Sequence, residues 1–275
     1  VINFSDAAMT LSSSKNKPGL SASGCREGFG DNIAGMNRRT ALNALAATGI
    51  LSALGQRAWA GVAAQPIKLD LSCALIVVDV QNCFVSGSLA IQGGGDVVPV
   101  INHIAAAFQN VVLTQDWHPP GHVSFASRYP GHRPLDSVKL SYGNQVLWPD
   151  HCIQGTQDAA IVSDLSIPQA ELIIRKGFHP DVDSYSAFRE ADGKTATGLE
   201  GYFKERRVNR LFVSGLATDF CVAQTALDAR KAGFETYVIE DACRGVDSNG
   251  SVAKAWNAMA AAGVRRIQST DLNLG

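Results

Sequence analysis

The chain has 275 residues, with 24 basic against 25 acidic side chains and 46% hydrophobic content. A charge this balanced gives no electrostatic case for nucleic acid or a membrane surface, and the length suits one α/β domain with a tail. No apolar run reaches the roughly 18 residues that a membrane-spanning helix needs, and the six cysteines include no C-x-x-C pair, which argues against a zinc ribbon or a thioredoxin motif.

Residues 1–35 are polar, rich in Gly, Ser and Asn, and without periodicity; they read as a disordered tail, or as untranslated sequence ahead of Met36. Residues 36–60 read as a signal peptide. Arg38 and Arg39 supply the basic region, Ala41 to Leu54 a mildly apolar one, and Ala58-Trp59-Ala60 an A-x-A cleavage pattern. The paired arginines and Arg57 resemble a twin-arginine signal, although Ala41 stands where a Phe is usual. The expectation is export to the periplasm by the twin-arginine machinery, or a cytoplasmic protein where the segment is not used. A short amphipathic helix is the plainer alternative. Residues 61–275 then form the domain, about 215 residues. Setting aside Cys25, the domain keeps an odd number of cysteines, so at least one thiol is unpaired.

Cys73–Asp79 is an apolar, β-branched run that predicts a strand buried on both faces and ending in a carboxylate. Asp96 is placed as the cap of a helix reaching Phe108, with Pro99 in its first turn. Gly93-Gly94-Gly95 is not a dinucleotide fingerprint, because that motif follows its strand directly. Val111–Asp116 is the next strand, again ending in a carboxylate. A long polar loop from Trp117 to Gly155 then carries His118, His122, His132 and His151, and a loop of that length is usually functional or disordered. Glu171–Lys176 is a strand ending in lysine. A second loop leads to a helix over Thr197–Arg206, then a strand over Arg210–Ser214. The turn Gly215–Val222 follows, with Thr218 as helix cap and a helix to Lys231. Strand Glu235–Glu240, helix Ser251–Ala262 and a short strand at Arg266–Ile267 complete the chain. This alternation predicts a three-layer αβα fold with a mainly parallel six-stranded sheet.

In such a sheet the carboxyl ends of the strands form one edge, and ligands bind there. Asp79, Lys176 and Cys221 all occupy that edge. A carboxylate can take the thiol proton, and a lysine can stabilise both anions in a dry site. Cys221 falls in the first turn of a helix, where free backbone N–H groups and the dipole favour a thiolate, with a pKa below that of a free thiol. The plainer alternatives are a structural Asp79–Lys176 ion pair and a cysteine serving as a small hydrophobe. Asp116, His118, His122 and His151 form a second set, one carboxylate and two or three imidazoles, typical of a divalent metal. His132 and His179 lack that spacing, and His103 lies in a helix.

The specific motifs are Val78-Asp79-Val80-Gln81-Asn82-x-Phe84, Asp116-Trp-His118-x-x-x-His122, Trp148-Pro-x-His151, Arg175-Lys176-Gly177, Asp183-Ser-Tyr-Ser-Ala-Phe188 and Gly215-Leu-Ala-Thr-Asp219-x-Cys221. On these the chain resembles, over essentially all of residues 70–275, the nicotinamidase family of the isochorismatase-like cysteine hydrolase superfamily. The resemblance implies hydrolysis of nicotinamide to nicotinate and ammonia through a cysteine thioester. It implies Asp79, Lys176 and Cys221 as the catalytic triad, and one divalent ion, zinc before iron or manganese, on Asp116, His118 and His151, with His122 a ligand or a neighbour. Phe84, Trp148 and Tyr185 match the pyridine pocket. A cis peptide between Leu216 and Ala217 is implied, with the Ala217 and Cys221 amides as the oxyanion hole. Cys83 stands where the family often has Asp, and Phe220 where His or Tyr is common. Cys83 and Cys152 both fall near the site, and their pairing is left open. Two rivals stand beside this reading: an amidase of the same superfamily acting on carbamoyl or ureido compounds, and a catalytically dead metal-binding scaffold. A homo-oligomer is compatible with either.

Overall fold

Five strands built on apolar runs and one short edge strand pair into a single parallel sheet, and the chemistry collects along its carboxyl edge. The structure, a computed structural model, describes residues 65–275; the tail, the signal segment and residues 61–64 lie outside the described residues. The sheet strands are β2 (Cys73–Val78), β3 (Asn110–Asp116), β6 (Leu172–Lys176), β7 (Arg210–Leu216), β8 (Glu235–Arg244) and β9 (Arg265–Ile267). They lie in the order β6-β3-β2-β7-β8-β9, every neighbouring pair parallel. The chain passes from β2 to β3 on one side and later enters β7 on the other. That reversal opens a crevice between the carboxyl ends of β2 and β7, the usual ligand position in an open α/β sheet.

Both faces are covered, as the unbroken apolar runs require. Leu75 and Val77 of β2 pack with Ile101 and Ile104 of α2 (Val97–Ala105). Ala74, Ile76 and Val78 pack on the other face with Phe203 of α3 (Leu199–Glu205), Ala226 of α4 (Ala223–Lys231) and Met259 of α5 (Ser251–Ala261). This two-residue alternation through one strand makes the αβα layering. Each fully buried Leu or Ile contributes about 1.5–3 kcal/mol to it.

The structure differs from the sequence expectation in several places. Asp96 has helical backbone angles and its side chain makes no cap bond, because a short 3-10 turn over Gly94–Asp96 leads directly into α2. Thr218 is not the cap of the cysteine helix; that position is Ala217, and residues Thr218–Val222 form a π-helical turn. The wide turn arises because the Val222 N–H reaches the Ala217 carbonyl, five residues back. The long polar loop holds an antiparallel hairpin, β4 (Ser137–Leu140) with β5 (Gly143–Val146). Three short elements were also not anticipated: β1 (Ile67–Lys68), paired in parallel with β10 (Leu272–Asn273), and α1 (Asn82–Val85).

Candidate active site

The first residue beyond β2 is Asp79, which turns out of the strand with φ 49°. Thr114, two residues before the end of β3, holds it there. Its hydroxyl donates to Asp79 Oδ1 at 2.6 Å and accepts the Asp79 N–H at 3.1 Å. Lys176 ends β6, in register with Asp116 at the end of β3. Its side chain is fully buried, and its ammonium donates to Asp116 Oδ1 (2.5 Å), the Ser184 carbonyl (3.1 Å) and Cys221 Sγ (3.2 Å). Those three bonds use all its protons. Asp79 Oδ2 lies 2.7 Å from Nζ but has no hydrogen-bond donor among the described residues. It therefore feels the cation while keeping a lone pair free for another proton. Asp79, Asp116 and Cys221 bring one ligand atom each within 4.8 Å of one another, so the Asp79 carboxylate and the Cys221 sulfur share one buried cluster around the Lys176 ammonium.

Electrostatics in this cluster follow from burial. Burial raises Asp79, against the pull of Lys176, to about 6. Burial works the same way on Asp116, but Lys176 and His118 overcome it and hold that carboxyl below its ordinary range. The two carboxylates keep Lys176 well above its ordinary value despite its burial. The Cys221 thiol is pushed well above its usual range by burial, with Lys176 drawing it back only in part. This runs against the expectation of a depressed thiol: burial outweighs the pull of Lys176. At rest the pair is a thiol facing a carboxylate.

Beside this group, His118 Nε2 and His151 Nε2 lie 3.6 and 3.9 Å from Asp116 Oδ2. His118 Nδ1 lies 2.8 Å from the Gly177 carbonyl, and His151 Nδ1 lies 2.8 Å from the Pro149 carbonyl. A carbonyl only accepts, so each Nδ1 carries a proton and each Nε2 faces the carboxylate; burial lowers His118, but Asp116 overcomes it and raises that imidazole above its ordinary value. Burial lowers His151 to about 4, which keeps its imidazole neutral. Three donors of this type suit a divalent cation. His122 is set differently. Its Nδ1 lies 2.7 Å from Ser124 Oγ and also receives the Ser124 N–H, while Nε2 faces the Val182 carbonyl at 3.3 Å. Both nitrogens are occupied, and the ring stacks on His118 at 4.2 Å. The structure thus brings Asp116, His118 and His151 together and places His122 behind them.

A pocket opens onto Cys221, Asp116 and His151, walled by Phe84, Leu89, Ile91, Trp148, Tyr185, Phe220 and Val246. The Trp148 indole N–H donates to the Tyr185 hydroxyl at 2.9 Å, and Phe220 meets the Trp148 ring edge-on at 4.8 Å. The peptide bond between Leu216 and Ala217 is cis. Residues 73–271 match the isochorismatase domain family model.

The chain belongs to the isochorismatase family.

Within that family it is 56% identical over 207 residues to a nicotinamidase of Acinetobacter baylyi, a match covering 75% of this chain and 97% of the relative. Among solved structures, a nicotinamidase–pyrazinamidase of Acinetobacter baumanii superposes with a TM-score of 0.73 at 60% identity, over 74% of this chain and 98% of the other. A pyrazinamidase of Pyrococcus horikoshii in complex with zinc superposes with a TM-score of 0.59 at 33% identity, over 72% of this chain and 99% of the other.

Sequence reasoning missed several members of the site in this isochorismatase-family fold. Thr114 shares a strand face with Asp116, so two-residue periodicity could have found it. Gln81 brackets the Asp116 backbone, accepting its N–H at 2.8 Å and donating to its carbonyl at 2.9 Å. Asp219 is buried, and its carboxylate accepts from the Val246 and Asp247 N–H groups and the Ser251 hydroxyl. It thereby ties the pocket residue Val246 to the cysteine turn. Leu89, Ile91 and Val246 carried no local signal, since only tertiary folding brings them to the pocket. Cys83 and Cys152, left unassigned, form a disulfide.

Proposed function

We propose that this chain is a nicotinamidase, hydrolysing nicotinamide to nicotinate and ammonia. The observation that carries the reading is the meeting of Asp79, Lys176 and Cys221 beneath an aromatic-walled pocket. Asp79 Oδ2 takes the Cys221 proton as sulfur attacks the carboxamide carbon, and Lys176 holds the charges in place. The Ala217 and Cys221 N–H groups receive the oxyanion, each worth about 10²–10³ in rate. Protonated Asp79 returns the proton to the departing ammonia. It then takes a proton from the water that opens the thioester and hands it to the departing Cys221 sulfur, restoring the thiol and carboxylate as the acid leaves and ionises to nicotinate. Asp116, His118 and His151 would hold one divalent ion, zinc before iron or manganese, which would supply a Lewis-acidic contact for the pyridine nitrogen. Phe84, Trp148 and Tyr185 orient the ring so that the amide faces sulfur. A flat aromatic box suits a pyridine better than an open-chain ureido compound, which sets the carbamoyl-amidase reading second. We also read residues 36–60 as a twin-arginine signal that sends the folded domain to the periplasm; a disulfide within the domain suits an oxidising compartment.

The test is ammonia release from nicotinamide, benzamide and a ureido acid, with and without chelator. Nicotinamide turnover that chelation sharply reduces, with benzamide poor throughout, is the expected result. Preference for the ureido acid would overturn the substrate assignment, and chelator-insensitive nicotinamide turnover would overturn the ring-anchor role.

A further inference from the structure

The proposed reaction leaves unused a pair of residues bonded to each other beside the pocket. The disulfide joins Cys83 and Cys152 across a sequence separation of 69, and both residues are 0% exposed. Cys83 lies in α1 immediately before Phe84, a wall of the pocket. Cys152 follows His151 directly and adopts φ 48°, a left-handed conformation that a non-glycine residue keeps only where its surroundings enforce it. Its carbonyl accepts the His118 N–H at 3.1 Å, and its own N–H donates to Asp158 Oδ2 at 3.1 Å. The Asp158 carbonyl in turn accepts the Cys83 N–H at 2.8 Å. Across this junction the Phe84 ring meets His151 edge-on at 5.7 Å. One covalent bond thus ties the segment that aims His151 and seats His118 to the helix that presents Phe84.

We infer that the Cys83–Cys152 disulfide is a positioning pair for the ion-binding and ring-holding half of the site. It fixes the aim of the His118 and His151 Nε2 atoms toward Asp116 and the distance of Phe84 from them. The nucleophilic half has anchors of its own, Thr114 for Asp79 and Ser184 for Lys176, and meets the ion-binding half at the Lys176–Asp116 bond, where Gln81 brackets the Asp116 backbone. This inference rests on the metal and ring-pocket assignment proposed above. Reduction breaks the single S–S bond and adds two electrons and two protons, giving two thiols. With a phosphine as reductant, the phosphine supplies the electrons and becomes its oxide by taking oxygen from water. Burial of both sulfurs makes the bond accessible only when the segment opens.

The test compares three forms of the full chain: wild type, wild type reduced with a water-soluble phosphine, and Cys83→Ser with Cys152→Ser. Each is first checked for native circular dichroism. Zinc affinity is measured on metal-stripped protein by competition with a chromophoric chelator. KM and kcat for nicotinamide are measured at saturating zinc, and Cys221 alkylation by iodoacetamide is followed by peptide mass. Zinc affinity should fall by about tenfold or more in both modified forms, the scale of losing an outer-shell support. KM should rise with little change in kcat, Cys221 should alkylate at the wild-type rate, and reoxidation of the reduced wild type should restore the first two. Unchanged zinc affinity and KM with only a lower melting temperature would overturn the inference, making the bond a stabiliser alone. Slowed Cys221 alkylation would overturn the separation of the two halves. Unfolding of both modified forms would also overturn it, since the bond would then serve the fold and not the site. If wild type fails to hydrolyse nicotinamide, the proposed function falls, while the zinc and alkylation measurements still decide the disulfide's role.

Discussion

Asp79 is set for proton transfer by neighbours that pull in opposite directions. Burial raises its carboxyl to about 6, and the Thr114 hydroxyl counters by stabilising the anion. The reaction needs the ionised form, so kcat/KM should fall as pH drops through about 6. Replacing Thr114 by Val keeps the shape and removes the donor at 2.6 Å. The anion then loses support, the pKa rises, and the acid limb should move to higher pH, with stability lowered by about 1–3 kcal/mol. A pH profile of both proteins checks this, and a limb that stays in place would remove Thr114 from the mechanism. Cys221→Ala should lower turnover on the order of 10⁶-fold while nicotinamide still binds, as calorimetry would show.

At the scale of elements, the turn after β6 shows how closely backbone and site are fitted. Gly177 has φ 64°, and a Cβ there would stand 2.4 Å from His118 Cε1, while its carbonyl orients the same ring. Gly177→Ala should cost at least about 1–2 kcal/mol for the left-handed backbone alone and should displace His118. A lower melting temperature together with reduced zinc stoichiometry is the expected result; full zinc content would show that the ring tolerates the shift. Strands β2, β3, β6, β7 and β8 were legible because each is built on an apolar run. Asp79, Asp116 and Lys176 could be read for the same reason, as polar residues where an apolar run gives way at the carboxyl edge of the sheet. The hairpin of β4 and β5 was not, because Ser137–Leu140 alternates over only four residues and Gly143–Val146 carries a single apolar side chain. The hydrogen bonds of His122 were equally hidden, since only folding shows that Ser124 and Val182 face its ring. The thiol of Cys221 was misjudged because a helix terminus can be read locally, whereas burial is a property of the whole fold.

At the scale of the molecule, the disulfide closes a loop of 69 residues, a constraint worth about 4 kcal/mol in the chain-entropy account. That stabilisation is available only where thiols stay oxidised, which couples the proposed export to the folded domain. Replacing Arg38 and Arg39 by Lys should strand uncleaved precursor in the cytoplasm. Fractionation followed by mass measurement tests this, and a mature form beginning near Gly61 in the periplasm of the variant would exclude the twin-arginine route.

The outermost position of β6 in the sheet has a consequence for how the enzyme wears out. Edge strands open ahead of central ones, and this edge carries Lys176, while Asp79 and Cys221 sit at the ends of the two central strands. Catalytic lifetime and structural lifetime should therefore separate on heating. Backbone amides of β6 should exchange with deuterium well before those of β2 and β7, and activity should decay on that faster clock. Ageing stocks would then contain molecules that still scatter, sediment and absorb as intact protein yet have already fallen silent, with recovery on cooling as long as the inner strands have held.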